Sequence, residues 1–122
     1  MAKESVLKQI KQNFKRYGIT AFYPGQHQGE CTSKYVVIKH DGAVGVGTVS
    51  SDAVTYTIMC YVPKDEYSSL IEFVEVVKQC MKVLFPLVRL SENETPSYYD
   101  DSIKAHMISV EYLNYRKMTN WR

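Results

Sequence analysis

Histidine and cysteine are the side chains in this sequence whose types could bind a metal or act as a nucleophile. The histidines are His27, His40 and His106, and none is spaced with a cysteine, an aspartate or another histidine in a zinc-binding pattern. Cys31, four residues after His27, is the cysteine expected outside the core, so these two form a weak candidate nucleophile pair. We predict no catalytic residue and no metal site from this pattern.

Glycine spacing is the second feature that could indicate chemistry. The run Gly42–Gly47 is rich in glycine, but its spacing matches neither nucleotide-binding fingerprint, and no Lys-Ser or Lys-Thr follows its last glycine. Glycines without that context are typical of a tight or mobile hairpin. We therefore predict no cofactor, and a hairpin tip or loose strand edge over 42–52.

Four carboxylates could act together as ligands of Mg²⁺ or Ca²⁺. They are Glu92, Glu94, Asp100 and Asp101, all in one polar segment. Their spacing is not that of an EF-hand, and two adjacent aspartates cannot surround a cation by themselves. Capping of the loop, or pairing with Lys104 and Arg89, is the alternative interpretation. A cation role stays open at this point.

The elements that position these residues follow from hydrophobic periodicity and from turn residues. In chain order they are a helix over 3–17, strands over 35–40 and 55–62, a helix over 65–84, and strands over 87–90 and 104–116. The order α-β-β-α-β-β predicts an α+β fold, with a four-stranded, mostly antiparallel sheet and two helices packed on one of its faces. We expect one domain over residues 1–122, ending in a loose tail from Met118 to Arg122.

The second predicted helix has an unusually wide apolar stripe. Its apolar positions are Tyr67, Leu70, Ile71, Phe73, Val74, Val76, Val77, Cys80, Met81 and Leu84. A helix that uses only one of its faces to pack on a sheet needs a narrower apolar stripe than this. The pattern predicts burial on more than one side.

Composition limits the possible function classes. The chain has 122 residues, 45% hydrophobic and 23% charged, with a formal net charge of +2. That charge is too small to predict nucleic-acid binding by itself. The charges are segregated, however: the first helix is basic, and four acids lie between Asp65 and Glu75. Three cysteines without disulfide-like spacing, and no signal-peptide or membrane-length apolar run, favour a protein made in the cytoplasm.

The 10 tyrosines are a further indication of an interaction protein. Tyrosine joins a large apolar ring to a polar hydroxyl, and it is enriched at protein interfaces. Tyrosines beside basic residues also stack on single-stranded nucleic acid, but the aromatic-glycine signature of an RNA-recognition motif is absent from 55–62.

The last two thirds of the sequence resemble a known family, most clearly from Pro86 onward. The segments are Pro86-Leu87-Val88-Arg89-Leu90, Asn93-Glu94-Thr95-Pro96-Ser97-Tyr98-Tyr99-Asp100-Asp101, Lys104-Ala105-His106-Met107 and Val110-Glu111-Tyr112. Together with the helix before them, they resemble the tail-terminator or tail-completion proteins of long-tailed phages and prophages, some of which are called minor capsid proteins. The resemblance covers about the last two thirds of the chain and concerns the overall pattern, not a catalytic motif.

The resemblance implies a structural virion protein at the head-proximal end of the tail, assembled in the cytoplasm of a bacterial host. Its partners would be other copies of itself in a hexameric ring, the tail tube protein, and the head connector or stopper protein. DNA would pass through the ring without sequence-specific binding, and no membrane would be involved. The residues expected at a subunit or partner interface are Lys8, Lys11, Lys15, Gly45, Gly47, Tyr98, Tyr99, Asp100, Asp101 and Lys104.

Three alternatives remain beside the tail terminator. A head-tail adaptor or stopper, or a minor capsid protein, differs from it only in partner. A nucleic-acid-binding module would use the basic helix and the tyrosines, and its binding would weaken steeply with salt. An enzyme would need a pocket with converging polar groups, which no motif in the sequence indicates.

Overall fold

A computed structural model describes residues 5–27, 29–45 and 51–117. The α-helices are α1 (Val6–Arg16) and α2 (Leu70–Lys82), and a 3-10 helix (Lys64–Ser69) leads into α2. The strands are β1 (Ala21–Phe22), β2 (Tyr35–Gly45), β3 (Ser51–Pro63), β4 (Arg89–Glu94), β5 (Tyr98–Asp100) and β6 (Ala105–Lys117).

The described strands form one mixed, six-stranded sheet. Its order is β1-β2-β3-β6-β4, and β5 pairs with β6 next to β4. The β1–β2 pair is parallel and the other pairs are antiparallel. The predicted four-stranded sheet is therefore wrong, although the fold is α+β with two α-helices. The missed strands are short: β1 has two residues and β5 has three, too few to show a period of two.

Strand β2, which the sequence predicted to end at residue 40, continues through the Asp41-Gly42 dipeptide. The pairing of β2 with β3 shifts register between His40 and Ala43, so the dipeptide forms a β-bulge. Gly42 has a φ of +92°, a conformation that residues with a Cβ rarely adopt. The bulge lets β2 stay paired as far as Gly45, five residues beyond the predicted end.

The first helix begins and ends at recognisable signals, whereas the second has no side-chain cap at its start. The Ser5 hydroxyl accepts a hydrogen bond from the Lys8 backbone N–H at 3.1 Å and caps the start of α1. The helix ends before Gly18, whose φ of +75° is typical of the residue that follows a helix. The predicted second helix starts later than expected, because Glu66 has non-helical backbone angles and residues 64–69 form the 3-10 helix. Ser69 does not cap α2 with its side chain; its hydroxyl donates to the Glu66 carbonyl at 2.8 Å.

Both helices pack on one face of the sheet, which we call the helical face. The buried side chains of this core are Ile10, Phe14, Val36, Ile38, Val54, Tyr56, Ile58, Cys60, Val62, Leu70, Phe73, Val74, Val77, Cys80, Met81, Val88, Ile108, Val110 and Tyr112. Alternate residues of β3 and β6 contribute to it, as the period of two requires. Asn13 is buried among them, and its side-chain amide donates to the Cys80 carbonyl at 2.8 Å, which ties α1 to α2.

The opposite face of the sheet, which we call the open face, has a smaller cluster near β1. Cys31, Tyr35 and Ala105 are buried there, against the partly buried Phe22, Val37, Tyr61 and Ile103. The rings of His27 and Tyr35 stack at 4.3 Å between centroids, and those of Tyr35 and Tyr61 at 4.9 Å. Cys31 was expected outside any core, and that expectation is wrong, because its side chain is buried against Tyr35 and Ala105.

No helix in the described ranges is long and apolar enough to cross a membrane. The predicted loose tail, Met118 to Arg122, lies outside the described residues. The described part of the chain has one sheet and a main core that both helices share.

Candidate interaction surfaces

The three lysines predicted at an interface lie along one side of α1. Ile10 and Phe14 are fully buried, so the helix turns Lys8 and Lys15 to the exterior, with Lys11 between them. Neither Lys8 nor Lys15 makes an ion pair with a residue that the structure describes. Their charges are therefore free to act on a partner.

A groove of about 510 Å³ runs between α1 and the segment that follows it. It is lined by Lys8, Lys11, Gln12, Lys15, Gly18, Ile19, Thr20, Ala21 and Tyr23, and we call it the basic groove. The Lys11 ammonium lies 4.5 Å from the centre of the Tyr23 ring and donates to Gln26 Oε1 at 3.2 Å. These contacts hold Lys11 in place, so the groove combines positive walls with an apolar floor.

The predicted interface residues Tyr98 to Lys104 form β5 and the turn into β6. Asp100 Oδ1 accepts from the Ser102 backbone N–H at 3.0 Å and from its hydroxyl at 2.6 Å, and Asp101 pairs with Lys104 at 3.2 Å. The hydrogen bond to Asp101 raises the pKa of Lys104. The two aspartates thus stabilise the turn, as in the capping and pairing alternative for this acidic loop. Across the described ranges, no three His, Cys, Asp or Glu side chains are placed to hold a metal ion.

Tyr99 belongs to an aromatic cluster between β5 and the 3-10 helix. The His106 ring lies 4.9 Å from the Tyr99 ring and 4.6 Å from the Tyr67 ring, measured between centroids. Its Nε2 is 3.1 Å from the Lys64 carbonyl, and the Tyr67 hydroxyl is 3.2 Å from Ser97 Oγ. Tyr67 and Tyr98 remain more than half exposed, at 54% and 58%, so their rings present apolar area at the surface.

Acidic residues surround Tyr67 and continue onto the outer side of α2. The exposed residues here are Asp65, Glu66, Tyr67, Ile71, Glu72 and Glu75, and we call this surface the acidic ridge. Glu66 and Glu75 form long ion pairs: the Glu66 carboxylate lies 3.9 Å from the Lys34 ammonium, and that of Glu75 lies 3.7 Å from the Lys78 ammonium. Asp65 and Glu72 have no ion pair within the described part of the chain. The ridge therefore carries negative charge beside exposed apolar side chains.

The wide apolar stripe of α2 is only partly buried in this chain. Tyr67 is 54% exposed, Ile71 60% and Val76 53%, while the other side chains of the stripe belong to the main core or pack against it. Val76 lies beside Tyr17 and Ile19 in a shallow, mainly apolar groove of about 340 Å³. The burial on more than one side that the sequence predicts is thus incomplete within one copy.

The predicted interface residues do not form one site. Lys8, Lys11 and Lys15 lie at the β1 edge of the sheet, because α1 contacts β1 and β2. The segment from Tyr98 to Lys104 lies at the other edge. Gly45 is the last residue of β2, and Gly47 lies outside the described residues. Sequence reasoning missed the basic groove and the aromatic cluster because both depend on contacts between distant segments. The acids of the ridge could be found from their charge alone.

The three cysteines are buried and unpaired. Burial raises the pKa of Cys31, of Cys60 to about 12 and of Cys80 to about 11. The Cys31 thiol donates to the Ser33 carbonyl at 3.3 Å. Since the thiolate is the nucleophilic form, these environments disfavour cysteine chemistry at neutral pH.

A scan against protein-family models found no match, and a search of curated proteins found none either. The interpretation of these surfaces therefore depends on their geometry and on the sequence pattern.

Proposed function

We propose that this chain is a structural virion protein: a ring-forming tail terminator that caps the phage tail tube and provides the surface to which the head attaches. It acts by shape and surface contact and is not an enzyme. Its place is the head-proximal end of the tail, and it is assembled in the cytoplasm of the host. The resemblance over residues 86–112 supports this function, and so does the distribution of exposed apolar side chains.

The observation that carries the proposal is the apolar surface that α2 leaves exposed. Ile71 and Val76 belong to the same α2 stripe as the buried core side chains, yet each is more than half exposed. Val76 also lines a mainly apolar groove with Tyr17, which is 52% exposed, so exposed apolar side chains adjoin there. An exposed apolar patch on a small domain marks an interaction site, because its contact with water is unfavourable. A protein whose work is to contact copies of itself and two neighbours needs several such surfaces.

The partners of the ring follow from this function. Copies of the chain form a homo-hexamer, one end of the ring contacts the tail tube protein, and the other contacts the head connector or stopper protein. DNA passes through the lumen without sequence-specific contacts. A head-to-tail contact closes such a ring when the rotation between subunits divides a full turn.

Light scattering on the purified chain, followed by electron microscopy with tail tubes, tests the function. We expect a ring-sized particle, or a monomer that assembles on tube ends, and tubes of fixed length when the chain is added during their growth. A protein that stays monomeric and leaves tube growth unchanged would contradict the proposal.

An adaptor or stopper, or a minor capsid protein, is the alternative within the same class. It predicts binding to the head connector or capsid without capping of tubes, so a pull-down with each partner separates the two roles. A nucleic-acid-binding module is favoured by one observation, the three lysines and Tyr23 of the basic groove. A gel shift with single-stranded DNA at low salt tests it, since phosphate contacts weaken as salt rises.

A further inference from the structure

We propose that the contact between neighbouring subunits places the acidic ridge of one copy in the basic groove of the next. This inference rests on the proposed ring and specifies which surfaces close it. The occupant of the groove is thus a second copy of this chain. Charge complementarity, apolar content and the position of the two surfaces in the fold each support the assignment.

Charge is the first argument. The groove carries Lys8, Lys11 and Lys15, and α1 has no acidic residue among its eleven. The ridge carries Asp65, Glu66, Glu72 and Glu75. Complementary charge of this kind orients two surfaces and disfavours wrong pairings. Two copies cannot pair groove to groove or ridge to ridge without bringing like charges together.

Apolar area is the second argument. The floor of the groove includes Ile19, Ala21 and Tyr23, and the ridge exposes Tyr67 at 54% and Ile71 at 60%. The groove volume is within the range of pockets that bury a small ligand, so it has room for a large side chain or two. Apolar side chains at the centre with charges around them is the usual arrangement of a protein interface.

Position is the third argument. The basic groove lies at the β1 edge, and the acidic ridge lies over β3 and β6, toward the edge formed by β4 and β5. Both are on the helical side of the sheet. Glu75 of the ridge lines a groove with Ile19, which also lines the basic groove, so the two surfaces are different but neighbouring parts of that side. A contact between two different surfaces of a subunit is head-to-tail and propagates in one direction, which a ring requires.

Charge reversal on each surface, alone and together, tests the contact. Variant A is Lys8→Glu with Lys15→Glu, and these lysines have no ion pair among the described residues. A negative charge stabilises the start of a helix and destabilises its end, so the two changes have opposite effects on the stability of α1. Variant B is Glu72→Lys with Glu75→Lys. Variant AB carries all four changes. The control is Lys39→Glu, an exposed lysine on β2 beside the open face. Circular dichroism and thermal melting verify the fold of each.

We expect variants A and B each to need at least a ~10-fold higher concentration for assembly than the unchanged protein, because like charges then face each other. Variant AB should assemble again, and the control should assemble normally. An equimolar mixture of A and B should also form rings, with alternating subunits. Such alternation closes only when the subunit number is even, so the mixture also tests the hexamer.

Several results would overturn this contact. If A and B assemble like the unchanged protein, or if AB does not recover assembly, the ring uses other surfaces while the proposed function still stands. If variant A loses binding to a single-stranded DNA oligonucleotide and keeps assembly, the groove holds nucleic acid instead. A monomeric unchanged protein that ignores tail tubes contradicts the proposed function itself, which is a separate result.

Discussion

The two faces of the sheet differ in how completely the chain covers them. On β3, the helical face buries Ile58 and Cys60 fully under the two helices. The next residues toward the open face, Thr57 and Met59, are only half-buried. The helical face therefore buries most of the apolar side chains of the described residues, whereas the open face carries polar contacts such as the hydrogen bond from Thr57 to Asp41. This contrast predicts effects of very different size for substitutions one residue apart.

The largest expected difference is between Ile58→Ala and Met59→Ala. Ile58 is 0% exposed in the main core, so its truncation leaves a cavity and lowers the free energy of unfolding by about 2–5 kcal/mol. Met59→Ala should cost less than about 1.5 kcal/mol, since its side chain already contacts solvent. Urea unfolding of the two variants measures both. Equal losses would mean that the open face is covered as well as the helical face.

Tyr35→Leu examines the one well-covered part of the open face. Tyr35 is 4% exposed, and its ring stacks between those of His27 and Tyr61. Leucine keeps apolar volume but loses both ring contacts, so we expect a loss of about 1–2 kcal/mol in unfolding free energy. Tyr98→Leu, at a 58% exposed position, is the control and should change little. A negligible effect of Tyr35→Leu would show that the cluster is not a core.

Gly42→Ala tests the bulge that lets β2 stay paired as far as Gly45. No atom within 4 Å would obstruct the added Cβ, so the cost comes from the backbone alone, at a φ of +92°. We expect a loss of about 1 kcal/mol in unfolding free energy, measured by urea denaturation. Gly42→Asn should recover part of the loss, because asparagine tolerates positive φ better than alanine does. Equal stability of all three proteins would contradict the assigned backbone.

The smallest expected effect is the pH dependence that Asp41 contributes. A hydrogen bond from the Thr57 hydroxyl, aided by Lys39 at 3.2 Å, lowers the pKa of Asp41 below its ordinary 3.8. A lowered pKa in the folded state stabilises the fold above pH 3.8 and loses this effect as the pH falls through the lower folded value. Urea midpoints of the unchanged protein and of Asp41→Asn should therefore differ slightly at pH 7 and converge as the pH falls below 3.8 through the lower folded value. A constant difference would contradict this assignment.

The long elements could be predicted from the sequence because their patterns are local. The stripe that includes Ile10 and Phe14 places α1, and the alternation of Ile108, Val110 and Tyr112 places β6. The two-residue β1 could not be found in this way, since the hydrogen bond from Val36 N–H to the Thr20 carbonyl joins segments that are 16 residues apart. The acidic Asp100-Asp101 pair was identified by its charge, but its work in the turn depends on Ser102 and Lys104.

The same limit applies to the candidate surfaces. The lysines of α1 and the acids near α2 are visible as charge, and the wide stripe of α2 already indicates a second contact. The groove that these lysines line exists because Tyr23 folds back beside Lys11. No local pattern specifies that return, because the energy that selects it comes from tertiary packing.

The central pair of strands has a mechanical consequence. Strands β3 and β6 are paired at thirteen consecutive positions, from Ser51 with Lys117 to Pro63 with Ala105. Tension along the strands loads many of these hydrogen bonds at once, whereas tension across them breaks the bonds one after another. At about 3.3 Å per residue the pair spans roughly 43 Å, about twice the length of α2. The sheet is thus stiff in one direction and opens most easily in the direction perpendicular to it.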